Sequence, residues 1–213
     1  MYVHQLSQKP QYPIDGSNVN ITSLRKKEIA LLGLGVENRA VAKYLEQYEI
    51  KYSVCDRSVE INKSDLTNVK NWNTGIKYLN DLHRFDIVFR TPGLSAMHPE
   101  LRAFRQDGKT ITSQMQLFFD LCPAIIIGIT GTKGKGTTAK ILECLLKKAG
   151  KQRVFVGGNI GTPPLTFLSE LDSNDIVILE LSSFQLQDLK SSPHVAIILS
   201  VQVDHLDYHA NRE

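Results

Sequence analysis

One glycine-rich segment, GITGTKGKGTT at residues 128–138, constrains the fold of this chain more than any other feature. It follows a strongly apolar run, Ala124–Ile129, and precedes a helical pattern from about Gly136 to Lys148. Glycines let backbone N–H groups turn toward phosphate oxygens, and a helix N-terminus adds the positive end of its dipole. A strand, a glycine-rich turn and a helix in this order predict a phosphate-binding loop in an α/β domain.

The side chains of this segment suit a nucleotide triphosphate. Lys135 supplies a cation for the β and γ phosphates, and a hydroxyl after it can bind Mg²⁺. The strict pattern G-x-x-x-x-G-K-[ST] is not met, because Gly136 follows the lysine, so Thr137 is the better Mg²⁺ candidate. The plainer interpretation is a strand–helix turn whose lysines are incidental. The predicted ATP-binding residues are Thr130, Gly131, Thr132, Lys133, Gly134, Lys135, Gly136, Thr137 and Thr138.

Strand and helix signals alternate from Glu28 onward and fall into two series. The predicted strands are Ile29–Leu34, Lys51–Cys55, Phe85–Phe89, Ala124–Ile129, Arg153–Val156, Ile176–Glu180 and Val195–Leu199. The predicted helices are Glu37–Tyr48, Pro99–Gln106, Gln114–Leu121 capped by Ser113, and the helix after the glycine-rich turn. This alternation predicts βαβ units with parallel sheets. We therefore expect a leader at 1–25, a first α/β domain at 26–111 and a second at 112–213.

Composition excludes several classes of protein. The 25 basic and 22 acidic residues give a net charge of +3, too mild and too scattered to indicate a nucleic-acid partner. No apolar run reaches the roughly 18 residues of a membrane span, and the polar N-terminus has no signal-peptide core. Three widely spaced cysteines fit a reducing compartment. We expect a cytoplasmic protein without a membrane or nucleic-acid partner.

The first domain carries a second glycine-rich turn, Gly33-Leu-Gly-Val-Glu-Asn38, after its first strand. Asp56 ends the second strand, where a dinucleotide-binding protein places the acid that holds ribose hydroxyls. By themselves these residues leave NAD open as a ligand. Arg57 could equally be an exposed charge at a strand end, and Thr91-Pro92-Gly93 a simple tight turn.

Several segments together resemble the Mur ligase family. The loop T-G-T-x-G-K-x-T matches its ATP loop, and the order of the other matching segments follows the family pattern. These segments are TPGLSAMHPEL at 91–101, GGNIG at 157–161, LELSSFQL at 179–186 and DHLD at 204–207. They are most similar to the branch that adds D-glutamate, whereas the inserted Gly136 resembles the folylpolyglutamate synthase branch. That folate branch lacks a unit like residues 26–111, which favours the cell-wall branch.

The resemblance implies a fold and an activity. The fold is α/β, with a Rossmann-like parallel sheet that binds a UDP-linked substrate, followed by a partial P-loop ATPase-type domain. The implied activity is an ATP-dependent amide ligase of peptidoglycan precursor synthesis that works through an acyl phosphate. Its implied substrates are UDP-N-acetylmuramoyl-L-alanine and D-glutamate, and its cofactors are ATP and Mg²⁺.

The resemblance also implies roles for individual residues. Lys135, Glu180 and His205 are the implied catalytic residues, and Thr137, Glu180 and His205 the implied metal ligands. The implied UDP-substrate residues are Gly33, Gly35, Val36, Glu37, Asn38, Asp56, Arg57, Thr91, Pro92, Gly93, Asn159, Ser182 and Gln185. Plainer roles stay open: a helix cap for Glu180 or Ser182, a turn for Asn159 and a structural role for a lone histidine.

The chain also departs from the family pattern. Lys133 stands where asparagine is common, and Gln202 stands where a threonine is usual. The chain ends shortly after Asp207, so we expect a truncated form that lacks the C-terminal domain and is inactive alone. Two other hypotheses remain: a related ligase with another acceptor, such as a folate enzyme, and a non-catalytic nucleotide-binding module.

Overall fold

The computed structural model describes residues 21–150, 153–159 and 161–202. Contacts divide these residues into two compact units, one ending at Leu121 and the other beginning at Cys122. Each unit is built on its own parallel sheet, as the alternation of strands and helices predicts.

The first unit contains a five-stranded parallel sheet. Its strands are β1 (Ile29–Leu32), β2 (Tyr52–Asp56), β3 (Val69–Thr74), β4 (Ile87–Arg90) and β5 (Thr110–Thr112). The strand order β3-β2-β1-β4-β5 places β1 in the centre, with the chain first running to one side and then returning to the other. This is the Rossmann order, and ligands of such sheets bind where the order reverses, between β1 and β4.

Four α-helices accompany this sheet in the described part of the chain. They are α1 (Ile21–Leu24), α2 (Val36–Gln47), α3 (Pro99–Gln106) and α4 (Gln114–Leu121). Proline at the first position of α3 and the Ser113 cap of α4, whose hydroxyl accepts the Gln116 N–H at 3.1 Å, fix two helix starts. The core on one face joins sheet residues such as Ala30, Leu32 and Val88 to Leu101 and Phe104 of α3.

The second unit contains a four-stranded parallel sheet. Its strands are β6 (Ile125–Thr130), β7 (Val154–Gly158), β8 (Ile176–Glu180) and β9 (Val195–Ile198), in the order β7-β8-β6-β9. Helix α5 (Lys135–Lys148) follows β6, and the short helix α6 (Ser183–Leu186) follows β8. Ile129, Ala139 and Ile178 form the centre of a core between this sheet and α5. The carboxyl ends of β6 and β8 are therefore neighbours.

The observed boundary between the units lies later than the one predicted after residue 111. Strand β5 pairs with β4 through Ile87–Thr110 and Phe89–Thr112, and α4 packs against α2, so both belong to the first unit. At the end of the predicted leader, Ile21–Leu24 forms a helical turn in which Leu24 is fully buried. Residues 1–20 lie outside the described residues.

Within the described parts of the chain, no helix has both the length and the apolar character needed to cross a membrane.

Candidate functional site

The glycine-rich segment of the second unit forms a loop between β6 and α5. Gly131 and Gly134 have φ angles of +136° and +85°, which side-chain-bearing residues rarely adopt. Lys135, the first residue of α5, folds back so that its Nζ donates to the carbonyl oxygens of Gly131 at 2.9 Å and Thr132 at 3.3 Å. The Lys135 ammonium is thus held by carbonyl oxygens of the loop itself.

Two threonine hydroxyls of this loop bind the protein itself. Thr130 Oγ1 donates to the Leu181 carbonyl at 2.9 Å. Thr132 Oγ1 donates to the Gln202 carbonyl at 3.2 Å and accepts the Gln202 N–H at 2.8 Å. The Thr132 N–H donates to the Ser200 carbonyl at 2.9 Å. These hydroxyls hold the loop to the neighbouring strand ends.

Glu180 lies at the carboxyl end of β8, beside the loop that follows β6. Glu180 is only 3% exposed, and its Oε2 has no hydrogen-bond partner among the described residues. An unpartnered buried carboxylate oxygen is costly, because burial removes its hydration without replacement. The carboxylate is therefore suited to meet a cation at this edge of the sheet.

The residues after β7 contact the backbone of Glu180. The Asn159 N–H donates to the Glu180 carbonyl at 2.8 Å. Gly158, at φ +113°, approaches so closely that a Cβ there would lie 2.2 Å from that carbonyl oxygen. Asn159 itself is exposed, and its position fits both the turn role and the substrate role that the sequence left open.

Ser182 and Gln185 form a capping box at the start of α6. Ser182 Oγ accepts the Gln185 N–H at 3.2 Å, and Gln185 Oε1 accepts the Ser182 N–H at 3.0 Å. The cap role predicted as the plainer alternative for Ser182 is therefore present in the structure. Both residues are nearly buried, and their predicted contact with a substrate stays a prediction.

The start of α5 faces an open depression of about 670 Å³. It is lined by Gly134, Gly136, Thr137, Lys140 and Ile141. Thr137 and Lys133 are exposed beside it, and Thr138 is half-buried with its N–H bonded to the Gly134 carbonyl at 2.9 Å. Among the described residues no three His, Cys, Asp or Glu side chains group as a metal cluster. His205 and the segment 204–207 lie outside the described residues.

In the first unit, the turn after β1 lies between β2 and β4. Gly33 has a φ of +77°, and a Cβ there would lie 2.6 Å from Thr91 Cγ2, so only glycine fits beside this threonine. Asp56 accepts the Leu34 N–H at 2.6 Å on Oδ2 and the Ser58 N–H at 2.7 Å on Oδ1. Asp56 therefore joins the turn after β1 to the loop after β2, a role that sequence reasoning did not assign to it.

Asn38 in the first turn of α2 is fully buried beneath the same site. Its Nδ2 donates to the carbonyls of Leu32, Gly33 and Phe89 at 3.1, 2.8 and 3.0 Å. The side chain thereby ties the ends of β1 and β4 together. This backbone role of Asn38 was not predicted, and its predicted contact with a substrate stays a prediction.

The other predicted residues of this site are accessible at the sheet edge. Gly35, the residue before α2, Val36, its first residue, and Arg57 are exposed. Thr91 and Pro92 are half-buried and Gly93 is exposed, in a turn whose Leu94 N–H donates to the Thr91 carbonyl at 3.1 Å. Glu37 lies in the first turn of α2. The structure thus brings together Gly33–Asn38, Asp56–Arg57 and Thr91–Gly93, as the sequence predicts.

Sequence reasoning missed Arg90. This last residue of β4 is fully buried, and its Nη1 donates to the carbonyls of Pro92 at 3.4 Å and of Leu94. The sequence did carry a signal for it: an arginine ends an otherwise apolar strand directly before Thr91-Pro92-Gly93. A cation is unusual at that place in a buried strand.

Comparison with known proteins identifies the family of this chain. Residues 27–113 match the model of the Mur ligase MurD-like N-terminal domain, and residues 129–213 match the Mur ligase middle domain. Together the two matches cover about four fifths of the chain. The chain belongs to the Mur ligase family, which confirms the resemblance seen in its motifs.

Curated relatives include the UDP-N-acetylmuramoylalanine–D-glutamate ligases of Acetivibrio thermocellus and Clostridium acetobutylicum. The first is 39% identical over 195 residues, which are 89% of this chain and 42% of the relative. The second is 37% identical over 203 residues, which are 92% of this chain and 44% of the relative. The chain thus spans less than half the length of these relatives.

A solved structure, the UDP-N-acetylmuramate:L-alanyl-gamma-D-glutamyl-meso-diaminopimelate ligase from Neisseria meningitides, is also similar. It shares 22% identity with a TM-score of 0.48, over 87% of this chain and 64% of that chain.

Proposed function

We propose that this chain carries the UDP-substrate-binding and ATP-binding parts of a ligase that joins D-glutamate to UDP-N-acetylmuramoyl-L-alanine. The observation that carries this proposal is the identity of 36–39% to relatives of that name over about nine tenths of the chain. The match of residues 27–113 to a MurD-like domain favours this branch over the folate branch.

The second unit supports the ATP part of the proposal. Lys135 would exchange the Gly131 and Thr132 carbonyls for phosphate oxygens, and the N-terminus of α5 would face the same anion. Thr137 is exposed at this point and has a hydroxyl to offer. The residues Thr130–Thr138 would together form the nucleotide loop.

The same unit offers donors that fit Mg²⁺. Glu180 has a buried, unpartnered oxygen, and hard divalent cations prefer carboxylate and hydroxyl oxygens. Glu180 and Thr137 would hold the ion, together with His205 beyond the described residues. When bound, Mg²⁺ neutralises charge on the phosphates of the nucleotide.

The first unit supports the UDP part. The exposed N-terminus of α2 and the turn at Gly33–Gly35 can receive a diphosphate, and Asp56 keeps lone pairs for hydroxyl groups after accepting two N–H bonds. Val36, Glu37, Arg57 and Thr91–Gly93 would complete this site. The predicted substrate roles of Asn159, Ser182 and Gln185, which lie in the second unit, stay part of this proposal.

The proposed reaction activates a carboxylate. The substrate carboxylate attacks the γ-phosphorus of ATP, ADP leaves, and an acyl phosphate forms. The amine of D-glutamate then attacks the acyl carbon, the new C–N bond forms, phosphate leaves, and the amine gives up a proton. Lys135 would stabilise the negative charge that develops on the transferred phosphoryl group. The reaction consumes ATP, which is available in the cytoplasm, and we place the protein there.

Isothermal titration calorimetry of the 213-residue chain tests the proposal. We expect binding of UDP-N-acetylmuramoyl-L-alanine and, separately, of ATP with Mg²⁺, and no binding of NAD or of a folate. Failure to bind any uridine nucleotide would refute the proposed substrate, and folate binding would favour the alternative branch. ATP binding without any uridine ligand would favour a nucleotide-binding module of another kind.

A further inference from the structure

The bulkiest fully buried side chain among the described residues is a cation, Arg90. Burying a guanidinium costs several kcal/mol unless hydrogen bonds replace its water. The observed partners on Nη1 are two carbonyls of one turn, those of Pro92 and Leu94. A buried cation whose partners are carbonyls of a turn that we assign to substrate binding calls for a functional explanation.

Arg90 determines how the peptides of that turn are oriented. No peptide bond in the described residues is cis, and in a trans peptide the C=O and N–H groups point in opposite directions. The Pro92 and Leu94 carbonyls point toward the guanidinium. The N–H groups of the same two peptides, on Gly93 and Ser95, therefore point away from it. By binding the carbonyls on one side of the turn, Arg90 thus leaves the N–H groups of Gly93 and Ser95 facing the opposite side.

The turn is fixed against the site in two further ways. The Thr91 N–H donates to the Leu32 carbonyl at 3.1 Å, which anchors the turn to the end of β1. Arg90 and Leu32 are register partners across β4 and β1, so the guanidinium belongs to the point where the strand order reverses. Thr91 also packs against Gly33, so the shape of the turn is transmitted to the glycine loop.

We propose that Arg90 is a positioning residue that holds the Thr91–Leu94 turn in its substrate-binding shape and adds positive potential beneath a bound nucleoside diphosphate. This inference rests on the proposed function of the first unit. A charge in a buried setting acts over a longer distance than an exposed one, because water screens it less. The arginine thus contributes through the turn and through its field, without touching the ligand.

The experiment measures UDP affinity by calorimetry for Arg90→Met and Arg90→Lys in the 213-residue chain. We expect Arg90→Met to weaken UDP binding by about tenfold or more, since charge-assisted hydrogen bonds of this kind are among the stronger ones. Arg90→Lys keeps the charge without the planar fork, so its affinity should be intermediate. ATP affinity should not change in either variant, because the loop at 128–138 belongs to the other unit.

Two controls separate positioning from stability. Leu82→Ala removes a buried side chain of the same unit and lowers its Tm, and we expect its UDP affinity to stay within about twofold of wild type. Arg102→Met makes the same chemical change on an exposed position of α3 and should have no effect. Arg90 variants that bind UDP as well as wild type overturn the inference alone. A Leu82→Ala variant that has the same Tm as Arg90→Met and loses as much UDP affinity would also overturn it.

A wild-type chain that fails to bind UDP overturns the proposed function and this inference with it. Should neither Arg90 variant fold, hydrogen exchange of the arginine guanidinium groups in ¹⁵N-labelled wild-type protein decides. Slower exchange at Arg90 on adding UDP, and no change on adding ATP, is the expected result. Unchanged exchange with UDP overturns the proposal.

Discussion

Asn38→Asp is a nearly isosteric change at the buried junction below the first site. The amide nitrogen donates two protons to three carbonyl oxygens that lie 2.8–3.1 Å away. A carboxylate would face the same three oxygens with no proton to give. With roughly 1 kcal/mol lost for each of the two amide protons and about 3 kcal/mol for an unpaired buried charge, the free energy of unfolding should fall by about 5 kcal/mol at pH 7.

The pH dependence of this variant has a definite sign. Burial and the carbonyl oxygens raise the pKa of the introduced carboxyl above its unfolded value of about 3.9. The folded form therefore binds a proton more tightly than the unfolded form, so the variant is most stable at low pH and loses stability as pH rises. Asn38→Ala removes the same hydrogen bonds without adding a charge, and should lose about 2–4 kcal/mol with no such pH dependence.

Urea unfolding followed by tryptophan fluorescence measures this effect selectively. The single tryptophan of the chain, Trp72, lies in β3, so its signal reports the first unit. Asn80→Asp makes the same substitution at an exposed position and should leave the urea midpoint unchanged. Equal midpoints for Asn38→Asp and wild type at pH 7, or a midpoint that does not recover on acidification, would refute the reasoning.

Three further predictions concern other parts of the chain. Lys135→Ala should weaken ATP binding more than tenfold by calorimetry and leave UDP affinity intact, and equal losses would contradict separate sites. Gly158→Ala should destabilise the second unit by more than about 3 kcal/mol in calorimetric unfolding, because the new Cβ would lie 2.2 Å from the Glu180 carbonyl oxygen. The control Gly161→Ala has open space around its Cβ and a φ of +90°, so it should cost only about 1–2 kcal/mol. Similar losses in the two variants would rule out the overlap. Burial raises the pKa of Cys55 from near 9 to about 11, so a thiol reagent at pH 8 should label the exposed Cys144 far faster than Cys55. For the same reason the first unit should lose stability as pH rises from 9 to 11. Rapid labelling of Cys55 in the folded protein would contradict this.

Most of the fold follows from the apolar pattern of the sequence. Helices Pro99–Gln106 and Gln114–Leu121 and strand Ile176–Glu180 were predicted with the bounds that the structure shows. Each has a strong local signal, such as a proline at a helix start or a run of β-branched residues. Strand β3 was not predicted, because VKNWNT is polar and lies at the sheet edge, where pairing with β2 alone holds it.

The structure brings the predicted segments of the first unit together, but the hydrogen bonds of single side chains were not always visible in the sequence. Asn38 and Asp56 were expected to meet a ligand, and the structure adds bonds from both to backbone groups of the protein, which the sequence did not indicate. Ser182 and Gln185 complete a cap. Sequence spacing tells which residues reach a strand end, whereas the choice between ligand and backbone depends on distances across the sheet that spacing does not contain.

The carboxylate of Asp56 bears on the thermodynamics of ligand binding. Each of its oxygens holds an N–H of a different loop, so Leu34 and Ser58 are ordered before any ligand arrives. Ordering one flexible backbone residue costs about 1–2 kcal/mol in entropy, and a loop already fixed does not incur that cost on binding. The first unit should therefore take up its ligand with little loss of conformational entropy, and with association rates set by diffusion and orientation instead of loop closure.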